Sequence, residues 1–374
     1  MTDTHDGDAP YDPTARRETP LALKLAERIR REGPITLADY TEACLQDGEH
    51  GYYVTRQAIG RDGDFVTAPE ITQIFGEIIG AWVAVAWQRM GAPSRFRLVE
   101  LGPGRGTLMS DMARVFRRVP PLAAAMSIEL VESSAHLGEA QRAKLADLAI
   151  PVSWHAAIDT TSDLPTILVA NEFLDCIPPK PWIKGPEHWG RRTVGLDEAG
   201  RLQLSASYQP FAGKQIEMRF PDAEAGSVYE EMQSARFIDD MSRMAGRAPL
   251  VALLLDYGED GDSLGETLQA VRNHAYEHIL TSPGEADLTA HVKFAWYRDD
   301  LQAEDLLVDG PVTQADFLGS LGIMERASRL MSANPALAHE IETGVARVMA
   351  VPGMGDRFKV MGVRSPHLPV LPGF

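Results

Sequence analysis

VELGPGRGTL, residues 99–108, decides the fold. Three glycines alternate with Pro103 and Arg105, directly after an apolar run that carries Glu100. RFRLVEL (95–101) reads as a buried strand, and GTLMSDMARVFRRV (106–119) as a helix that opens at the last glycine. A strand, a glycine-rich turn and a helix make a ligand-holding corner. Glycines let the backbone approach a ligand closely, and the helix N-terminus offers unpaired N–H groups and partial positive charge. By itself the corner suits a pyrophosphate or a carboxylate equally well.

Outward from this corner the α/β rhythm continues. AMSIELVE (125–132) is a second strand and SAHLGEAQRAKLADL (134–148) a second helix. VSWHAA (152–157) is a short third strand, and TILVANEFLDCIP (166–178) begins as a fourth. PLVALLLDYG (249–258) and FKVMGV (358–363) return to the buried-strand pattern. Strands alternating with helices over short loops mean a parallel sheet covered on both faces. The expected fold class is therefore α/β, a Rossmann-like, doubly wound and mostly parallel sheet.

Two regions depart from that rhythm. Residues 180–215 contain GRRTVGLDEAGRLQLSASY, two alternating strands about a DEAG turn, and 224–246 read as helical. Upstream, 18–48 carry two amphipathic helical patterns, and GYYVTRQAIGRDGDFVTAPE (51–70) is a long aperiodic loop. A helix of about five turns follows near 71–90. The expected organisation is a disordered tail over 1–17 and a helical cap with its loop, over the site, over 18–92. A third part spans 93–374, with an insertion at about 180–247.

Composition narrows the function. The 374 residues are 44% apolar and 24% charged, ordinary for a globular protein, and no run approaches a membrane-spanning length. A formal net charge of −17 argues against a nucleic-acid partner and favours a cationic one, or simply serves solubility. Cys44 and Cys176 are too few for a disulfide framework and lack metal-ligand spacing, which points to a cytoplasmic location.

Three details turn the corner away from a dinucleotide. The third glycine comes one residue early for G-x-G-x-x-G. Glu100 at the strand end repels pyrophosphate but suits an ammonium. The second strand ends in Glu132, placed to accept hydrogen bonds from ribose hydroxyls. The constellation matches the S-adenosyl-L-methionine site of doubly wound methyltransferases. Expected cofactor-binding residues are Glu100 for the ammonium, the loop of Gly102, Pro103, Gly104 and Gly106, whose N–H groups take the carboxylate, and Glu132 for the ribose.

Other residues complete the expected site. Thr67, Pro69 and Glu70 cover the cofactor, with helix capping by Thr67 or Glu70 equally open. Asn171, Glu172 and Asp175 follow the fourth strand and face the acceptor. Two carboxylates there grip a guanidinium, and one serves as base; a helix cap is the plainer reading. Tyr52 and Tyr53 line a channel or sit buried, and Asp256 points toward the crevice. His274 and His278 are four apart but lack a third ligand, so a surface helix is expected without metal. His291 reads as structural, and Met241 and Met244 as core.

With these residues in hand, the chain resembles the MidA-like methyltransferases, a bacterial and mitochondrial family. The resemblance runs from about residue 18 to the end. It rests on GYY (51–53), GDFVTAPEITQIFGE (63–77), VELGPGRGTL (99–108), LVESS (130–134) and ANEFLDCIP (170–178). It continues in LLLDYG (253–258), PGEADLTAHVKF (283–294) and MGDRFKVM (354–361). It implies a methyltransferase using S-adenosyl-L-methionine on a protein arginine, with a respiratory complex I subunit as partner during assembly. The alternatives are a non-catalytic assembly factor that retains the cofactor site, and an NAD-dependent oxidoreductase. No nucleic acid and no membrane insertion are expected, and a homo-oligomer is compatible.

Overall fold

The computed structural model describes residues 11–55, 67–209 and 212–374. The chain divides into two compact units. One is built from the described residues of Val66–Leu174, Ser234–Gly261 and Val292–Phe374, and the other from those of Met1–Phe65, Asp175–Gln233 and Asp262–His291.

The first unit is an open sheet. Its strands are β1 (Phe96–Leu101), β2 (Met126–Val131), β3 (Val152–His155), β4 (Thr166–Asn171), β5 (Leu250–Glu259), β6 (Leu307–Thr313) and β7 (Phe358–Arg364). They lie in the order β3-β2-β1-β4-β5-β7-β6, and the two-residue strand Val292–Lys293 pairs with the end of β5. The first five run parallel, and β7 runs antiparallel between β5 and β6. All six residues of β1 are buried, as a central parallel strand requires when helices cover both faces. The resulting sheet has the doubly wound character expected from the sequence.

Helices α1 (Gln73–Arg89), α2 (Thr107–Phe116) and α3 (Ala135–Lys144) flank this sheet. Phe75, Trp82, Met109, Phe116, Ile167 and Leu253 contribute to its continuous apolar core. Two glycines let α1 and α2 cross closely. A Cβ at Gly76 would lie 2.6 Å from Asp111 Cβ, and one at Gly80 2.9 Å from Met112 Cα. This crossing is why the division falls before Val66 and not at residue 92. Helix α1 belongs with the sheet, not with the preceding helices.

The second unit has its own core, with Leu21, Leu25, Tyr40, Cys44, Val194 and Leu288 among its members. Helices Pro20–Glu32 and Leu37–Gln46 accompany a five-stranded antiparallel sheet and a three-stranded one. The expected DEAG hairpin is Trp189–Leu196 paired with Leu202–Ser207. Residues 224–246 are not one helix. Val228–Glu231 is a strand and Ala235–Ala245 a helix. Tyr229 and Val228 pair with Trp182 and Ile183, so sheet pairing overrides local helical preference.

Two smaller expectations also change. Residues 11–17, placed in the tail from sequence, are held: Arg16 Nε donates to Leu202 O at 2.9 Å and Arg17 N to Thr281 O at 2.8 Å. Residues 1–10 lie outside the described residues. His274 sits not on a helix but in a two-residue hairpin turn between Gln269–Arg272 and Ala275–Glu277, where Asn273 and His274 take φ of 51° and 63°. His278 follows the second strand. Among the described residues, no helix is long and apolar enough to cross a membrane.

Candidate cofactor and active site

Leu101 of β1 lies opposite Ala170 of β4. From β1 the sheet grows toward β2 and β3, and from β4 toward β5, so the strand order reverses between them. Ligands of open α/β sheets bind beyond the carboxyl ends of the strands at such a reversal.

Glu100 is 2% exposed, and its Oε2 has no hydrogen-bond partner among the described residues. Burial, and then the neighbouring Glu132 carboxylate, push its pKa up to about 8. The loop that follows takes left-handed φ at Gly102, Gly104 and Gly106, 58°, 53° and 75°, which glycine adopts without Cβ strain. Gly102 N donates to Val131 O at 3.1 Å and Gly106 N to Pro103 O at 2.8 Å, with Pro103 buried.

Glu132, one residue past β2, is held on both oxygens. Oε1 accepts from Ser134 N at 2.8 Å and Oε2 from Gln141 Nε2 at 3.1 Å. Burial raises its pKa, and these bonds oppose the rise.

Segment 67–71 joins the two loops. Ala68 N donates to Glu172 Oε1 at 3.3 Å, while the Glu70 carboxylate accepts from the hydroxyl of Thr107, the first residue of α2. Thr67 precedes the short helix Ala68–Ile71 without a side-chain capping bond, and Pro69 is buried within it. The side chain that caps α1 is neither Thr67 nor Glu70 but Thr72, whose Oγ1 accepts from Ile74 N at 3.4 Å.

After β4 the chain turns sharply at Glu172, whose φ is 51°. Its amide donates to Leu255 O at 2.9 Å, and its Oε1 also takes Asn171 Nδ2 at 3.2 Å. Burial lifts its pKa to about 7. Fully buried Asp256 anchors the turn: Oδ2 accepts from Phe173 N at 3.1 Å and Leu174 N at 2.8 Å, and Oδ1 from Tyr257 N at 2.9 Å.

The remaining candidates fall elsewhere. Asp175 opens the other unit, where its carboxylate accepts from Cys176 Sγ at 3.4 Å. Tyr53 donates to Asp287 Oδ1 at 3.0 Å in that unit, and Tyr52 is fully buried beside it. His291 is exposed, and Met241 and Met244 are core residues.

Sequence reasoning missed Gln141. Its Nε2 donates to Gly104 O at 2.7 Å as well as to Glu132, and its Oε1 accepts from Trp154 Nε1 at 3.0 Å. The signal was present: Gln141 is the polar member of the inward stripe of α3, with Leu137 and Gly138.

This arrangement is that of a nucleoside-binding α/β enzyme. Residues 78–312 match a family described as "Putative S-adenosyl-L-methionine-dependent methyltransferase". The mitochondrial protein arginine methyltransferase NDUFAF7 of Rattus norvegicus is 34% identical over 376 residues, covering 93% of this chain and 85% of the relative. Its Homo sapiens counterpart is 32% identical, covering 95% and 86%. A Burkholderia thailandensis protein solved with S-adenosyl-homocysteine bound is 25% identical, with a TM-score of 0.84 over 96% of this chain and 98% of that one. The chain belongs to this methyltransferase family: it is an enzyme, and its cofactor is S-adenosyl-L-methionine. The NAD alternative is set aside by that assignment. The expected cytoplasmic location is corrected, because the curated relatives are named as mitochondrial proteins.

Proposed function

We propose that this chain methylates a guanidinium nitrogen of an arginine in a protein partner, and that its cofactor lies beyond the carboxyl ends of β1 and β2. The observation that carries the reading is the open, buried oxygen of Glu100. A carboxylate kept from water without a partner is costly until a cation meets it. The cofactor's ammonium is such a cation. The amides of Gly104 and Arg105 within the loop suit its carboxylate, and the remaining lone pairs of Glu132 suit its ribose hydroxyls. Thr67, Pro69 and Glu70 cover it, with Glu70 tied to Thr107.

S-adenosyl-L-methionine supplies an electrophilic methyl group. The protein's tasks are to orient the acceptor, exclude water and take up one proton. Asn171 and Glu172 face the acceptor, and a carboxylate matches a guanidinium's fork of donors. A guanidinium nitrogen that gains a methyl releases a proton, and Glu172 takes it. Its pKa of about 7 leaves a useful ionised fraction at neutral pH and makes its conjugate acid easy to form. The arginine acceptor is supported by the names of the curated relatives. A respiratory complex I subunit as target is supported by the family resemblance.

Calorimetric titration with S-adenosyl-homocysteine and NAD, beside a Glu132→Ala variant, tests the cofactor site. Saturable binding of the former alone, weakened roughly tenfold or more in the variant, is expected. Mass spectrometry of complex I subunits incubated with enzyme and cofactor tests the acceptor. Cofactor binding with no methylated arginine would favour a non-catalytic assembly role.

A further inference from the structure

The amide of Gln141 is fully committed, and its commitments have a direction. Trp154 Nε1 is a donor only, so the group facing it at 3.0 Å must be the Gln141 oxygen. That fixes which way the amide points. Its two N–H groups then face Gly104 O at 2.7 Å and Glu132 Oε2 at 3.1 Å. Both acceptors belong to the proposed cofactor site, one on the glycine loop and one beyond β2. Trp154 is itself pinned from its ring face, with the Arg142 guanidinium 4.7 Å from the ring centroid. Gln141 has no exposed surface, and its Cγ lies 3.4 Å from where a Cβ on Gly106 would stand.

The consequence falls on Glu132. A carboxylate offers about four lone-pair directions. Ser134 N takes one on Oε1 and Gln141 takes one on Oε2. The Ser133 amide also bonds this carboxylate, and the lone pairs that remain, held in a fixed orientation, match the donors of a cis-diol.

We propose that Gln141 is a positioning residue that sets the enzyme's selectivity for a ribose 2′,3′-diol, by fixing the Glu132 carboxylate relative to the glycine loop. The proposal rests on the cofactor placement above, and the experiment separates the two. Affinities of the intact protein for S-adenosyl-homocysteine and for its 2′-deoxy analogue are measured in the wild type, Gln141→Leu and Trp154→Phe.

The wild type is expected to bind the parent compound at least about tenfold more tightly than the deoxy analogue. In Gln141→Leu that preference falls to about twofold, because an unheld carboxylate reads the diol poorly. In Trp154→Phe, which keeps the glutamine but releases its orientation, the preference takes an intermediate value. A residue that only supports the fold weakens both ligands alike. An unchanged preference in Gln141→Leu therefore overturns the inference. If that variant does not fold, an unchanged preference in Trp154→Phe overturns it instead. Failure of the wild type to bind S-adenosyl-homocysteine at all defeats the cofactor placement, not the role of Gln141 alone.

Discussion

The turns after β1 and β4 do the same topological job by opposite means. After β1 the left-handed positions are glycines, and the bonds that hold the loop come from backbone groups and Gln141. After β4 the left-handed position is Glu172, a residue that meets Cβ strain there, and the buried Asp256 carboxylate holds the next two amides. Glycine suffices where the backbone itself meets the ligand. A strained glutamate persists where the surroundings over-determine its position, here at the side chain proposed as the base.

The sharpest way to break this comparison is Glu172→Gln. It keeps the shape of the bend and removes the base, so turnover falls by about 10²–10⁴-fold while S-adenosyl-homocysteine affinity stays within about threefold. Equal losses in both would make Glu172 a cofactor ligand. Asp256→Ala attacks the anchor. It strands the buried Leu174 amide and the half-buried Phe173 and Tyr257 amides, and costs about 3 kcal/mol in urea unfolding. A loss under about 1 kcal/mol would mean that the turn holds itself.

Glu100→Gln tests the loop after β1 through pH. The folded protein keeps a proton on Glu100 up to about pH 8 that the unfolded chain releases near 4.5. The folded state therefore binds more protons across that window, and Glu100 lowers stability as pH rises through it. The variant melts above the wild type at pH 8.5 and level with it at pH 4, while its cofactor affinity drops about tenfold. A wild-type advantage at pH 8.5 would place a cation beside Glu100 already in the free protein.

The smallest effect separates the two turns directly. Gly106→Ala costs about 1 kcal/mol from its φ of 75° alone, since Gln141 at 3.4 Å is an ordinary contact. Glu172→Gly shifts stability by less than about 0.5 kcal/mol, because relief of strain offsets the lost bond to Ala68. A loss of about 1 kcal/mol there would show that the glutamate's contacts outweigh its strain.

The sheet was legible because its signals are local. LVALLL is a continuous apolar run and FRLVEL a mostly apolar one, both suited to a buried strand, and the acids near their ends mark where the chain leaves the sheet. The other unit was legible only in its two helices and its DEAG hairpin, because the rest of its antiparallel sheet is assembled from distant segments: Ile35–Thr36 pairs with Thr193 and Val194, and Val228 with Ile183. No window of sequence displays such pairings. At the site, residue types pointed to Glu100, Glu132 and Glu172. The roles of Gln141 and Asp256 depend on which backbone groups they meet, and the Gly104 carbonyl and the Phe173 amide lie 37 and 83 residues away in sequence.

The close crossing at Gly76 and Gly80 bears on how this protein tolerates change. Each glycine faces α2 with no room for a methyl group, against Asp111 Cβ at 2.6 Å and Met112 Cα at 2.9 Å. An alanine at either position must push α2 along or away, and the loop that opens α2 moves with it. In a library of random variants selected for cofactor capture, positions 76 and 80 would therefore register as binding determinants, although their role is to set the spacing between two helices.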